Sequence, residues 1–324
     1  MSGVLFFPDF ISGPRPIKGM DGLLLVNKPR GMTSHDVVAR VRRILRTRRV
    51  GHTGTLDPMA TGVLPVAVGR ATRLVEFLMA GSKTYQASLK LGEITDTQDA
   101  DGQVVERREV PALTQDEVVS ACRGFLGEIT QIPPMYSAVK KDGVPLYRLA
   151  RQGIEVERAA RSVYIERIVL HSLNLPFVDL EIDCSKGTYI RTLAHDLGEV
   201  LGSGAHLTGL CRTRSGSFLL DECISLEDLS EDARPGQAPG FLKLVDILRD
   251  CPRLRVDNEG AARLSVGIPP LIEQVGVSAC REGELIALVL DERLLAVARY
   301  APARLQEKRG DFELLRVFPE AAAA

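Results

Sequence analysis

Residues 51–65 of the 324-residue chain read GHTGTLDPMATGVLP. The first part, 51–58, is rich in glycine, threonine and proline, which favour a rigid, irregular loop. The apolar run 63–68 that follows indicates a buried strand. Asp57 is the only acidic residue between Asp36 and Glu76, so the loop presents one carboxylate just before a strand. An aspartate before a proline is either a turn residue or a carboxylate that acts as a nucleophile or base, and its surroundings decide between the two.

The segment before this loop is basic. Residues 33–36 fit a helix capping box, and apolar residues then recur at helical spacing through Leu45. Eight basic residues and one acidic residue lie between Lys28 and Val50. The predicted helix therefore has an arginine-rich outer face, which is either a solvated surface or a contact for phosphates: Arg40, Arg42, Arg43 and Arg46. The net charge is only −1, because an acidic stretch at 93–117 offsets the basic one.

Alternation of apolar and polar residues predicts half-buried strands through Tyr85 and at 178–184. Helical spacing resumes behind the second strand, and Arg191 lies in the turn between them, where it could supply the cation that an ionised Asp57 needs. Because the chain has no tryptophan, Tyr85 and Tyr189 are the faces on which a base could stack, unless they serve only as packing. Strands interleaved with helices predict an α+β domain.

Two later segments indicate how the chain is divided. Residues 132–153 form a long stretch with little periodicity that carries prolines, tyrosines, Lys140 and Lys141, and a loop of this length is uncommon without a function. A polar, proline- and glycine-rich stretch at 230–252 marks a domain boundary, and the short apolar runs at 253–319 predict a small β-barrel or sheet domain. We therefore expect an N-terminal extension at 1–20, a large domain at 21–250 and a second, smaller domain at 251–320.

Several protein classes are disfavoured. The longest apolar run, 285–290, is far shorter than the roughly 18 residues that span a bilayer. No basic residue precedes the apolar patch at 4–7, so we expect no secretory signal and a cytoplasmic location. The six cysteines lie at least twelve positions apart with no C-x-x-C pair, so we expect no metal site.

Six blocks in order resemble the bacterial tRNA pseudouridine-55 synthases. The longest is the gap-free stretch 51–65. The others are LVNKP at 25–29 with GMTS at 31–34, KTY at 83–85, PPMYSA at 133–138, KGTYIR at 186–191 and GAHL at 204–207. The resemblance extends over 22–229, and the tail is loosely similar to the PUA domain of that family.

The resemblance implies a role for each matched residue. It places the catalytic aspartate at Asp57, its ion-pair partner at Arg191, and the tyrosine that stacks on the base and is the favoured C5 base at Tyr85. It implies substrate-binding roles for His52, which takes the space vacated by flipped nucleotides, and for Tyr189, Lys28, Pro29 and Leu210. It also implies a mixed, mainly antiparallel sheet flanked by helices, a PUA-like β-barrel, and an RNA-gripping segment at 132–153 that includes Lys140 and Lys141.

The implied reaction is the isomerisation of uridine 55 in the T-loop of tRNA, with base flipping and without a cofactor. We expect the T-arm of tRNA as partner, no obligate protein partner, no membrane and a monomer. Two alternatives stay open: a non-catalytic RNA-binding or RNA-folding protein on the same scaffold, and the guide-RNA-dependent branch of the superfamily. The residues do not decide whether Asp57 attacks C1′ or promotes loss of a proton from C2′.

Overall fold

The computed structural model describes residues 20–229, 238–275, 280–302 and 310–319. The expected extension at 1–20, apart from Met20, and part of the expected boundary stretch, 230–237, lie outside these residues. The strands in the described part of the chain are β1 (Gly22–Lys28), β2 (Val50–His52), β3 (Thr61–Val68), β4 (Lys83–Leu91), β5 (Glu93–Thr95), β6 (Val104–Arg107), β7 (Gly127–Gln131), β8 (Lys140–Lys141), β9 (Val144–Pro145), β10 (Arg161–Asn174), β11 (Phe177–Cys184), β12 (Ala205–Ser215), β13 (Phe218–Leu219), β14 (Phe241–Lys243), β15 (Arg253–Arg255), β16 (Leu285–Leu290), β17 (Arg293–Tyr300) and β18 (Phe312–Val317). The helices there are α1 (Ser34–Ile44), α2 (Val75–Leu78), α3 (Gln115–Arg123), α4 (Leu146–Ala150), α5 (Ile190–Val200), α6 (Leu244–Ile247) and α7 (Asn258–Ser265).

A ten-stranded sheet forms the centre of the fold. Its main path runs β14-β1-β3-β12-β4-β11-β10-β7, with β2 paired to β3 and β13 paired to β12. The short β3–β12 pairing is parallel, and the other pairings of this sheet's strands are antiparallel. The predicted mixed, mainly antiparallel sheet is confirmed.

One face of the large sheet is covered by helices. Thr33 caps α1 and forms the predicted capping box with Asp36. The apolar stripe of α1, including Val37 and Val41, packs with apolar residues of α3 and α5 against β4, β11 and β12. Because β2 and β3 pair next to α1, the loop 53–60 between these strands lies beside the N-terminus of that helix.

The tail forms a separate, four-stranded sheet with the order β15-β16-β17-β18. A second core packs this sheet against the other face of the large one, with Leu25 and Val63 on the large sheet and Val289 and Val297 on the small one. A small C-terminal sheet is therefore confirmed, whereas its closure into a barrel stays a prediction.

The segment 132–153 has more regular structure than we expected. Strands β8 and β9 pair as a hairpin, and α4 follows directly. Among the described residues, no helix has both the length and the apolar character that a membrane crossing needs.

Candidate active site

The loop that carries Asp57 is fixed on both sides of that residue. The buried Ser34 hydroxyl accepts a hydrogen bond from the Leu56 amide at 2.8 Å and donates to the Leu56 carbonyl at 3.2 Å. The Pro58 carbonyl accepts from the Gly31 amide at 2.8 Å and from Lys28 Nζ at 3.2 Å. Because both neighbours are held, the backbone of Asp57 has little freedom to move.

Arg191 in the first turn of α5 contacts the Asp57 carboxylate with two nitrogens. Nη2 donates to Oδ1 at 3.2 Å, and Nε lies 2.9 Å from Oδ2. The second contact is an ion pair without hydrogen-bond geometry, because no acceptor among the described residues lies in line with the buried Nε–H. The arginine side chain is only 4% exposed and the aspartate side chain 33%, so the pair is buried on the arginine side and open on the carboxylate side.

The same guanidinium makes three further contacts that hold it in place. Nη1 lies 3.3 Å from Asp99 Oδ2 and donates to the Thr97 carbonyl at 3.1 Å, and Nη2 donates to the Tyr136 carbonyl at 2.9 Å. Asp99 is buried, and burial raises the pKa of its carboxyl although Thr97 and Arg191 oppose that shift. Arg191 is thus shared between a partly exposed carboxylate, that of Asp57, and a buried one, that of Asp99.

Tyr85 stands on β4 opposite Arg212 of β12, and both side chains are buried. Burial raises the pKa of the Tyr85 hydroxyl, so this residue is a neutral phenol near pH 7.

Leu210, two residues before Arg212, lines a cavity of about 450 Å³ together with Met59, but Asp57 and Arg191 do not line it. The structure therefore brings Leu210 close to the loop without placing it in the ion-pair cluster.

Tyr189 precedes α5 as its N-cap residue and is held through its backbone. The buried Gln131 side chain accepts from the Tyr189 amide at 3.0 Å and donates to the Tyr189 carbonyl at 3.2 Å. Burial raises the pKa of the Tyr189 hydroxyl. Since Arg191 lies two residues further on, Gln131 also fixes the start of the helix that carries it.

His52 ends β2 and packs its ring edge-on against His35, with 5.4 Å between the ring centroids. Burial lowers the pKa of His52 to about 4, so the ring is neutral near pH 7. Among the described residues, its Nδ1 and the Thr53 hydroxyl have no hydrogen-bond partner. Buried polar atoms without partners are uncommon, and here both lie in the segment that leads to Asp57.

Lys28 supports the loop from below. Its side chain has no exposed surface, and Nζ donates to the carbonyls of Pro29, Met32 and Pro58 at 2.9, 2.6 and 3.2 Å. Burial lowers the pKa of Lys28 to about 8. The structure therefore places Lys28 and the Pro29 carbonyl in the framework of the site.

The residues expected to contact the RNA backbone lie on exposed surfaces. Arg40, Arg43 and Arg46 point outward from α1 or its end. Arg42 is exposed too, but its Nη2 donates to the Val50 carbonyl at 2.8 Å. In the β8–β9 hairpin, Lys140 is exposed and Lys141 donates to the Glu157 carbonyl at 3.0 Å.

Three residues of the cluster were not predicted from the sequence: Asp99, Gln131 and Arg212. Asp99 belongs to an acidic stretch that reads as solvated surface. Gln131 is an uncharged residue at the end of a short strand, so nothing in the sequence singles it out. Arg212 follows Cys211 and lies outside the six blocks that carry the resemblance. What marks these three residues is that their side chains are buried. Their burial depends on which strands pair, and residue type alone does not reveal it.

The fold matches two solved structures over most of the chain. In a crystal structure of a Cbf5-Nop10-Gar1 complex, the matching chain has a TM-score of 0.70 and 28% identity, over 91% of this chain and 84% of its own. In a structure of an H/ACA RNP bound to a substrate RNA containing 2′-deoxyuridine, the values are 0.70 and 26%, over 92% and 84%. The fold is thus that of the Cbf5 pseudouridine synthases.

Sequence comparison narrows this class. The family described as TruB family pseudouridylate synthase (N terminal domain) matches residues 42–190, and the tRNA pseudouridylate synthase B C-terminal domain matches 191–243. The tRNA pseudouridine synthase B of Syntrophotalea carbinolica is 48% identical over 94% of this chain and 100% of its own length. That of Geobacter sulfurreducens is 47% identical over 92% and 100%. The chain belongs to the TruB family of tRNA pseudouridine synthases, which are isomerases.

Proposed function

We propose that this protein converts uridine 55 in the T-loop of tRNA to pseudouridine, acting alone and without a cofactor. The observation that carries the proposal is the ion pair between the partly exposed carboxylate of Asp57 and the buried guanidinium of Arg191. An RNA-binding surface needs no such pair, whereas a reaction at a sugar carbon needs a carboxylate that stays ionised and fixed. Membership of the TruB family supplies the substrate class.

The chemistry assigns different tasks to the residues of the cluster. The bond between N1 and C1′ breaks, the uracil turns, and a bond between C5 and C1′ forms. C5 then loses a proton and N1 gains one, so the product is an isomer of the uridine. Asp57 promotes the first cleavage near the sugar, and Tyr85 stacks on the base. Because the Tyr85 phenol is neutral at rest, it takes the C5 proton in its ionised form, which the neighbouring charge of Arg212 favours. Tyr189 supplies the second wall, and Leu210 packs against the bound base.

The uridine must leave its stack in the RNA before it reaches Asp57. We propose that His52 fills the space of the flipped nucleotides, since its ring is neutral, partly exposed and adjacent to the loop. Lys28 and Pro29 contribute by supporting the loop that meets the substrate. The exposed arginines of α1 and Lys140 and Lys141 of the 132–153 segment bind phosphates and position the T-arm without reading its sequence.

The domain organisation follows the same proposal. We assign residues 21–250 to the catalytic domain, 251–320 to a PUA-like RNA-binding domain, and 1–20 to an N-terminal extension. Strand β14 pairs within the large sheet and β15 within the small one, which supports a boundary close to residue 250. We propose a monomer that works in the cytoplasm, where tRNA is processed.

The test is to mix the purified protein with an unmodified tRNA transcript and to map pseudouridine by position. A transcript with cytidine at position 55 is the matched control. We expect pseudouridine at position 55 of the first transcript and none in the second. Tight binding of tRNA without any pseudouridine would instead support a non-catalytic RNA-binding protein, and a requirement for a guide RNA would support the guided branch.

A further inference from the structure

Arg212 is a fully buried cation in the middle of β12. Its side chain is 1% exposed, and in the described part of the chain no acidic side chain forms an ion pair with it. Nε donates to the Val63 carbonyl at 2.8 Å and Nη2 to the Gly54 carbonyl at 3.2 Å. A buried charge without a counter-charge destabilises a fold, so its presence calls for a function other than stability.

The neighbours of Arg212 belong to the site. Its Cα partner across the sheet is Tyr85, so the two side chains share one face. Gly54 lies three residues before Asp57, and a Cβ on Gly54 would stand 3.6 Å from Arg212 Nη1. On β3, just after the loop, a Cβ on Gly62 would stand 2.3 Å from the Arg212 carbonyl oxygen, so only glycine fits there. The Arg212 side chain therefore contacts the start of the loop 53–60, and its backbone packs against the strand that follows the loop.

The positive charge of Arg212 acts on titratable groups of the site. Arg212 contributes to the lowered pKa of Lys28, Lys83 and His52, for which burial is the main cause. At Tyr85 it acts in the opposite sense to burial and favours the ionised hydroxyl. The positive charge thus reaches Lys28, His52 and Tyr85, which the proposed function places at the substrate or in the support of its site.

We propose that Arg212 is a positioning residue: it holds the Gly54 turn, and with it Asp57, at a fixed place relative to the ring of Tyr85. This role rests on the proposed function, since it concerns two groups that act in the same reaction. Arginine suits the task because its planar guanidinium donates in two fixed directions, to Val63 and to Gly54. A lysine at this position has one ammonium group and cannot reproduce both contacts in the same geometry.

The test compares R212K and R212M with the control R214K. Arg214 lies on the same strand, but its side chain is 30% exposed and pairs with Asp183. Amide hydrogen exchange of residues 51–60 in the free protein reports the loop, and exchange of α1 reports the rest of the fold. Single-turnover pseudouridine formation at saturating tRNA reports chemistry, and the tRNA Kd reports binding.

We expect faster exchange at 51–60 in R212K and R212M, with α1 unchanged and R214K like wild type. The single-turnover rate of R212K should fall on the order of 100-fold, because small displacements of reacting groups cost rates of that size, while Kd stays within a few fold. If R212K shows the exchange and the rate of wild type, the proposal is overturned. This holds even if R212M is slow, because a positive charge at position 212 would then be enough without the geometry of a guanidinium. If wild type itself forms no pseudouridine, the proposed function fails, and exchange at 51–60 still decides the positioning role.

Discussion

Arg191 lies between two carboxylates that differ in exposure. The Asp99 side chain is buried, while the Asp57 side chain is one-third exposed. The backbone carbonyls of Thr97 and Tyr136 accept further hydrogen bonds from Nη1 and Nη2 of the guanidinium. Its orientation is therefore fixed before any substrate binds, which is what a pre-organised electrostatic site requires.

The first prediction concerns this guanidinium. In R191K the single ammonium cannot contact both Asp57 oxygens and the carbonyls behind it, so we expect the single-turnover rate to fall by about 100-fold or more. The tRNA Kd should stay within a few fold, because a side chain that is only 4% exposed offers almost no surface to an RNA phosphate. Rapid-quench measurement of pseudouridine at saturating enzyme checks this result. A lysine variant with full activity would show that the two-point contact is dispensable.

A second prediction separates two tasks of Tyr85. Y85F keeps the ring and removes the hydroxyl, so binding should persist while product formation falls by roughly 100-fold or more, the usual effect of losing a general base. A C5-deuterated uridine in the transcript should then give an isotope effect larger than that of wild type. Normal turnover in Y85F would show that Tyr85 only stacks on the base and that its hydroxyl takes no part in the reaction.

The pairing of Asp57 with Arg191 was predictable because both lie in motifs, and the geometry of the two residues agrees with it. Asp99 was not predictable, because an acidic residue in a hairpin is exposed by default. In the structure a backbone bridge joins Asp99 to Leu207 of β12, and the Asp99 side chain is buried beside Arg191. Long-range pairing of this kind leaves no trace in local periodicity.

At the scale of elements, local sequence signals predicted most of the framework. The capping box of α1 and the alternation in β4 and β11 are strong local patterns, and all three elements are present. The β8–β9 hairpin escaped prediction because its strands have two residues each, too few for a period. Its signal was the Asp142-Gly143 pair, whose positive φ values of 51° and 81° suit a tight hairpin turn.

The outer face of α1 gives the third prediction. Arg40 and Arg43 are exposed, whereas Arg42 also holds the Val50 carbonyl, so its replacement would disturb β2 as well. The double variant R40Q/R43Q should weaken tRNA binding and reduce the slope of log Kd against log salt by roughly 0.7 to 0.9 for each lost phosphate contact. The rate at saturating tRNA should not change. An unaltered salt slope would mean that this face of α1 points to solvent and the RNA binds elsewhere.

At the scale of the whole molecule, the two sheets share a core. The Arg73 guanidinium lies 5.1 Å above the Phe318 ring and donates to the Val317 carbonyl at 2.7 Å, joining the segment after β3 to the end of β18. Together with Leu25, Val63, Val289 and Val297 these contacts connect segments more than 200 residues apart in the chain. The sequence predicted both sheets but not their packing, because docking depends on which faces meet and not on periodicity.

The fourth prediction follows from this shared core. L25A removes a fully buried side chain of the large sheet, and we expect a loss of about 2–5 kcal/mol in the free energy of unfolding. The large and small sheets should still unfold in one calorimetric transition, shifted to lower temperature as a whole. Two separate transitions, of which only one responds to L25A, would show that the sheets fold independently.

The central claim is that this chain is a catalyst whose chemistry depends on Asp57. The direct measurement is single-turnover pseudouridine formation by D57N on a tRNA transcript, with the Kd measured on the same preparation. Asparagine keeps the shape of aspartate and removes its charge, so we expect a Kd within a few fold of wild type and product below about 1% of the wild-type rate. Pseudouridine formation by D57N at a rate close to that of wild type would contradict the account.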